Sequence, residues 1–282
     1  MILPHVPSDT NAAAYYAGCT RVDGFSGGNR GLNYGDGLFE TMRIHRGQVP
    51  LWPRHLARLR EGGRRLGITL PDAAYIGAQV SEVVQGRDAG VLKLLLTRGD
   101  GGRGYAPAPD ATSAWMLSLH DLPPSRAGLR VHWCALRLAA QPALAGIKHC
   151  NRLEQVLARM EAERAGCDEG LVQDGDGHVV SATAANLLVR SGDRWLTPPV
   201  DHCGVAGVVR GWLLDQGLLE VRELERAEME AATALALCNG VRGILPVVSL
   251  GSRVIAPEPA LDELQGRLAM AYPMFWCTAG DP

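Results

Sequence analysis

The chain has 282 residues, 46% of them apolar and 21% charged, enough to bury a large core in one sizeable unit or two modest ones. Its 28 basic and 30 acidic side chains leave a formal charge of −2, so composition offers no general electrostatic reason to bind nucleic acid or anionic membrane and points to a small-molecule partner. No apolar run approaches the roughly 20 residues of a bilayer span, and Met1–Thr10 has neither the basic start nor the apolar core of a secretion signal, which predicts a cytoplasmic location. Seven cysteines, at positions 19, 134, 150, 167, 203, 238 and 277, never form a C-x-x-C pair. Reduced thiols are expected, with no zinc cage, no disulfide framework and no metal.

In chain order, the first third reads as strands and turns followed by helices. Residues 38–44 have strand character between the turn Asn33-Tyr-Gly-Asp-Gly37 and Arg46-Gly47, and a hairpin with the short apolar run beyond is expected. Leu56, Leu59 and Leu66 set among arginines predict an amphipathic helix from Trp52 to Leu66, stopped by Gly67. A second helix is predicted from Pro71 to Val84. Residues 91–97 and 113–119 read as paired strands around the glycine-rich loop Arg98-Gly-Asp-Gly-Gly-Arg-Gly-Tyr105. This part is α+β. The tandem prolines at 123 and 124 mark a linker, which divides the chain into a domain at 1–122, a linker at 123–128 and a domain at 129–282. In the latter, a strand at 129–136 and a helix at 151–165 precede two hairpins, 169–173 with 178–181 and 186–189 with 195–196. A helix at 207–216, a strand at 234–238 and a helix at 261–272 complete it.

Of the 28 basic residues only two are lysine, Lys93 and Lys148. Arginine substitutes for lysine wherever a solvated positive charge suffices. It cannot do so where the amine itself reacts, because a guanidinium stays protonated while an ammonium in a suitable site loses its proton and attacks a carbonyl. Lys93 lies in an apolar strand-like run and reads as a leftover. Lys148 lies in Gly146-Ile-Lys-His-Cys-Asn-Arg-Leu-Glu154, where Asn151 and Glu154 have the spacing of a capping box. A helix start just beyond it would disfavour an added cation and so favour the neutral amine.

Tyr34-Gly-Asp-Gly-Leu-Phe-Glu-Thr41, His55-Leu-Ala-Arg-Leu59, Thr97-Arg-Gly-Asp-Gly-Gly-Arg-Gly-Tyr105, Leu144-Ala-Gly-Ile-Lys-His-Cys-Asn-Arg-Leu-Glu-Gln-Val-Leu157, Ala184-Ala-Asn-Leu187, Gly204-Val-Ala-Gly207 and Cys238-Asn239 follow one another along nearly the whole chain. In these pieces the chain resembles the fold-type-IV pyridoxal-phosphate enzymes, and the Gly-Gly-Arg-Gly-Tyr and Gly-Ile-Lys-His segments resemble their lyase branch. The resemblance implies a two-domain fold, a smaller N-terminal α+β domain and a larger C-terminal domain of mixed β-structure with flanking helices. It implies pyridoxal 5'-phosphate as cofactor, held covalently by Lys148, with Arg58, the backbone amides of Val208 and Val209 and the turn Asn239-Gly240 around its phosphate.

Where the family places a glutamate against the pyridine nitrogen, five residues before the asparagine of Ala-Ala-Asn-Leu, this chain has Ser181. A neutral hydroxyl leaves that nitrogen a weaker electron sink, which disfavours transamination more than an elimination that forms an aromatic ring. The implied activity is cleavage of 4-amino-4-deoxychorismate to 4-aminobenzoate and pyruvate. For the substrate's two carboxylates, Arg103 with Tyr105 beside it is the first choice, then Arg43 and Thr41. A homodimer is implied as well. The alternatives are a D-amino-acid or branched-chain aminotransferase on the same scaffold and a cofactor-binding protein without turnover.

Overall fold

The structure, a computed structural model, describes residues 13–275; the stretch Met1–Thr10 and Cys277 lie outside the described residues. The chain divides into two compact units, Met1–Pro123 with Lys148–Asn151, and Pro124–Ile147 with Arg152–Pro282. The sequence reading kept 129–282 contiguous, whereas residues 148–151 group with the first unit. Hydrogen bonds account for this: the Phe39 amide donates to the Lys148 carbonyl and the Cys150 amide to the Gly37 carbonyl, both at 2.9 Å.

In the first unit, strands β1 (Ala13–Ala17), β2 (Thr20–Val22), β3 (Gly37–His45), β4 (Ala89–Thr97) and β5 (Ala114–His120) form an antiparallel sheet in the order β2-β1-β5-β4-β3. Helices α1 (Arg30–Tyr34), α2 (Trp52–Leu66) and α3 (Ala73–Val84) complete it. Along β3 the side chains alternate, with Leu38, Glu40, Met42 and Ile44 buried and Phe39, Thr41 and Arg43 half-buried, as period-2 geometry requires. Helix α2 stops at Gly67, whose φ of 65° is the left-handed cap that glycine adopts without strain. The pairing of β4 with β5 is as expected. The expected hairpin beyond Arg46-Gly47 is absent: only an isolated bridge joins His45 to Gln48, and β3 pairs with β4 instead. Residues 48–51 turn directly into α2, leaving no second strand.

The second unit is a mixed sheet of β6 (Leu129–Leu138), β7 (Glu169–Asp174), β8 (Val179–Ala182), β9 (Asn186–Ser191), β10 (Arg194–Thr197), β11 (Glu220–Val221), β12 (Leu235–Asn239), β13 (Gly243–Leu250) and β14 (Arg253–Val254). The order is β11-β10-β9-β12-β13-β6-β7-β8, with β14 on β13. Both expected hairpins, β7 with β8 and β9 with β10, are present. Helices α4 (Leu153–Arg164), α5 (Val208–Asp215), α6 (Arg226–Ala231) and α7 (Pro259–Ala271) accompany the sheet. Val131, Leu187, Leu224, Leu237 and Leu245 lie in its principal core.

The capping box expected at Asn151 and Glu154 does not form. The N-cap of α4 is Arg152, without a side-chain cap. Asn151 Nδ2 donates instead to the Gly35 carbonyl at 3.1 Å, and Glu154 Oε1 accepts from the Ala139 amide at 2.9 Å. Lys148 therefore stands more than a helical turn before Leu153, and the influence of a helix end fades within that distance.

Candidate active site

Lys148 is held at the edge of β3 by the two backbone bonds that flank it, and its Nζ sits 4.3 Å from the centre of the Phe39 ring. An amine over an aromatic face has part of its water replaced by a neutral surface, while the ring quadrupole retains some attraction for the charged form. Thr41 and Arg43 follow Phe39 at alternate positions of β3 and share its half-buried face.

On the opposite, buried face lies Glu40, which sequence reasoning passed over. It accepts from Arg58 Nε at 2.8 Å, from Arg58 Nη2 at 2.5 Å and from His55 Nδ1 at 2.6 Å. Burial alone would raise the Glu40 carboxyl, but the Arg58 guanidinium and the His55 ring outweigh it and hold it at about 2. Burial lowers the pKa of His55 despite that carboxylate, so the ring is neutral at pH 7, with Nδ1–H donating and Nε2 buried without a hydrogen-bond partner. Arg58, expected to meet a phosphate, is thus fixed from behind by an ionised carboxylate. The signal available in the sequence was an acid at an inward position of an apolar strand.

A second device went unrecognised in the glycine-rich loop. Arg30, buried on α1, donates Nη1 to the Gly104 carbonyl at 3.2 Å, Nη2 to the Tyr105 carbonyl at 2.7 Å and Nε to Asp36 at 2.8 Å. Asp36 also receives Arg98 Nε at 2.7 Å, and although burial opposes it, the hydrogen bonds of Arg98 and Arg30 keep its carboxyl low. The loop backbone is pinned while Arg103 and Tyr105 remain exposed. An exposed cation and phenol on a fixed backbone can meet an arriving anion.

In the second unit, α5 begins at Gly207 with no side-chain cap, and Val208 and Val209 in its first turn are buried. Gly207 is obligatory by packing: a Cβ there would lie 1.9 Å from Asn186 Oδ1, while Asn186 Nδ2 donates to the Val205 carbonyl at 2.9 Å. Unsatisfied amides at a helix start behind a glycine make a cradle for an anion. Arg210, another omission, is buried and donates to Thr197 Oγ1 and the Pro198 carbonyl; burial lowers its pKa. Asn239 Oδ1 is occupied by the amides of Val241 and Arg242, so its side chain builds the turn that carries Gly240. Ser181 is buried on β8 opposite Val172. Among the described residues one acidic cluster, Asp174, Asp176 and His178, has ligand-type atoms within 4.8 Å of one another, but Asp174 Oδ1 already accepts the amides of Asp176 and His178 and closes the β7–β8 turn.

Comparison with known proteins gives a consistent picture. The family described as amino-transferase class IV matches residues 37–250. Aminodeoxychorismate lyase of Vibrio harveyi is 33% identical over 252 residues, covering 86% of this chain and 91% of that protein. The crystal structure of 4-amino-4-deoxychorismate lyase from Pseudomonas aeruginosa is similar with a TM-score of 0.84 at 41% identity, covering 91% of this chain and 98% of that one. Among the relatives with another activity, D-alanine aminotransferase of Bacillus licheniformis is 26% identical over 255 residues, 85% of this chain and 89% of that protein.

Proposed function

The chain belongs to the class IV amino-transferase family, and from that premise we propose that it is the pyridoxal-phosphate-dependent lyase that cleaves 4-amino-4-deoxychorismate to 4-aminobenzoate and pyruvate. The reading rests above all on Lys148, one of two lysines in the chain, held by backbone bonds to β3 beside an aromatic ring. The Vibrio harveyi and Pseudomonas aeruginosa relatives carry that activity in their names. The residues present suit the cofactor. Lys148 supplies the amine, Arg58 a cation oriented by Glu40, and the start of α5 backbone amides that no side chain caps. When bound, the cofactor supplies a carbonyl for the substrate amine and a ring that withdraws electrons from the adjacent carbon.

In this reading Lys148 Nζ holds the cofactor, takes the proton from the amine-bearing ring carbon and returns one to the methylene carbon of the departing enol, which becomes pyruvate. The C–O bond breaks and its electron pair leaves with the enol oxygen, so the six-membered ring becomes aromatic. Arg58, the Val208 and Val209 amides and the Asn239-Gly240 turn hold the cofactor phosphate. Arg103, Tyr105, Arg43 and Thr41 meet the substrate. Ser181 stands at the pyridine nitrogen as a neutral partner, which argues against the aminotransferase alternative, since that reaction depends more on the electron sink.

A domain boundary in 123–128, a cytoplasmic location and a homodimer complete the proposal. Cysteines that are free among the described residues suit a reducing compartment. The exposed Leu153, Val156, Leu157 and Met160 of α4 offer apolar surface to a second copy, which sedimentation equilibrium tests. The decisive assay incubates the cofactor-loaded protein with aminodeoxychorismate. Release of 4-aminobenzoate with equimolar pyruvate supports the reading, and no product with the cofactor absorbance intact rejects it.

A further inference from the structure

We propose that Asp36 is a positioning residue that ties the glycine-rich loop to the segment bearing Lys148 and to the end of α2, so that closure of the loop and loading of the cofactor favour each other. The proposal rests on the reading that Lys148 holds the cofactor.

Asp36 stands between α1 and β3, and its carboxylate accepts three hydrogen bonds from two arginines: Arg30 Nε at 2.8 Å, Arg98 Nε at 2.7 Å and Arg98 Nη2 at 3.0 Å. Each guanidinium goes on to a different element. Arg30 reaches the loop at the Gly104 and Tyr105 carbonyls. It also lies 4.9 Å from the centre of the Tyr34 ring, which meets the Tyr105 ring at 5.6 Å. Arg98 reaches the end of α2, where its Nη2 donates to the Leu66 carbonyl and its Nη1 to the Gly67 carbonyl, both at 2.7 Å. Helix α2 is the element that carries His55 and Arg58.

The backbone on either side of Asp36 makes the third link. The Gly35 carbonyl accepts from Asn151 Nδ2 at 3.1 Å and the Gly37 carbonyl from the Cys150 amide at 2.9 Å, so the turn grips the lysine segment. A Cβ at Gly35 would lie 2.5 Å from Asn151 Oδ1, which leaves no room between the two.

Among the described residues the Asp36 side chain bonds only to these two guanidiniums. An acid that merely shapes its own turn accepts local amides, as Asp72 does at the start of α3. The side chains of Arg30, Asp36 and Arg98 are 5, 14 and 15% exposed, so these pairs are screened by water far less than surface pairs. One carboxylate therefore fixes both guanidiniums, and whatever orders the elements on one side of it lowers the cost of ordering those on the other. A cofactor joined to Lys148 and held by Arg58 orders the lysine segment and α2. The loop carrying Arg103 and Tyr105 then closes more readily on a loaded protein, and by linkage the closed loop strengthens loading by the same factor.

The test compares wild type, Asp36→Asn and Arg30→Met, each free of cofactor and loaded with pyridoxal 5'-phosphate. Tryptic cleavage after Arg103 is followed by mass spectrometry, cofactor affinity by absorbance titration and melting temperature alongside. In the wild type, loading should slow the cleavage about fivefold or more, the ordinary size of a coupling between sites. Asp36→Asn removes the charge and turns one acceptor into a donor facing an arginine, so cleavage of the cofactor-free protein should rise about 10- to 100-fold, as loss of charged hydrogen bonds does, and loading should no longer slow it. Cofactor affinity should fall by the factor of protection that is lost. Arg30→Met cuts only the loop side of the link and should abolish the protection as well, with a melting temperature near that of wild type.

Equal protection by the cofactor in Asp36→Asn and wild type, with cleavage raised in step with a fall in melting temperature, would mark a merely structural acid and overturn the proposal. So would a wild type cut at one rate with and without cofactor fixed on Lys148, an outcome that leaves the lyase reading standing, and failure of the wild type to bind the cofactor would overturn both. Protection that depends on Asp36 and Arg30 in a protein that releases no 4-aminobenzoate would sustain the proposal and reject the lyase reading.

Discussion

Replacing Arg30 with methionine should release the glycine-rich loop without unfolding the domain. The guanidinium contributes two charge-assisted bonds to the loop, at the Gly104 and Tyr105 carbonyls, and one to Asp36. Asp36 keeps both of its bonds from Arg98, at 2.7 and 3.0 Å, so no carboxylate is orphaned. The two carbonyls belong to exposed residues and can turn to water. Bonds to a charged donor are worth about 1.5–3 kcal/mol each, and partial replacement by water puts the loss in loop closure at about 2–3 kcal/mol, a 30- to 150-fold rise in the open population. Arg103 lies within the loop and is itself a site for trypsin. Limited proteolysis of the native protein should therefore cut after Arg103 faster by about that factor, since cleavage of a rapidly opening segment follows its open population, while the melting temperature of the rest falls much less. A cleavage rate within about threefold of wild type would refute the assignment of Arg30 as the residue that fixes the loop.

Introducing glutamate at Ser181 should raise transamination with D-alanine relative to 4-aminobenzoate release by roughly tenfold, because a carboxylate there holds a proton on the pyridine nitrogen; an unchanged ratio of the two rates counts against the role given to Ser181. Gly207→Ala should destabilise the fold by about 1–3 kcal/mol in urea unfolding, as expected for overpacking against a fixed neighbour, because the new Cβ would lie 1.9 Å from Asn186 Oδ1. Acidification should weaken the fold in two stages. Below about 6.5 the unfolded chain binds a proton that buried His55 refuses, and between 4.5 and about 2 the unfolded chain also protonates the carboxyl that Arg58 and His55 keep ionised in Glu40. In both windows the unfolded state binds more protons, so stability falls with pH by up to about 1.4 kcal/mol per pH unit per group. Urea midpoints that stay level from pH 7 to 5, or a drop that persists in His55→Gln, would contradict the first stage.

The parts of the fold legible in the sequence were those with a clean period or a strong stop. Helix α2, with leucines on one face and Gly67 at its end, and the two hairpins of the second unit are the clearest cases. Strand β13 escaped because Pro246 interrupts it; Pro246 nevertheless stands opposite Ala236 of β12, and the ladder to β6 begins at Val247. Helix α1 is too short for periodicity to show. Lys148 stood out because lysine is scarce. Arg30 and Arg210 were lost among 26 arginines, since which arginine is buried depends on tertiary placement that composition does not encode. Asn151 shows the converse: its spacing to Glu154 suits a cap, yet a carbonyl distant in sequence, at Gly35, claims its side chain. Local chemistry proposes a partner, and packing decides between that partner and a remote one.

The central claim is that the Lys148 amine carries the cofactor. Borohydride reduction of the pyridoxal-phosphate-loaded protein followed by peptide mapping tests it directly, because the chain offers only two lysines. The pyridoxyl group should be fixed on Lys148, with Lys93 unmodified; a group fixed on Lys93, or none on either lysine, would contradict the account.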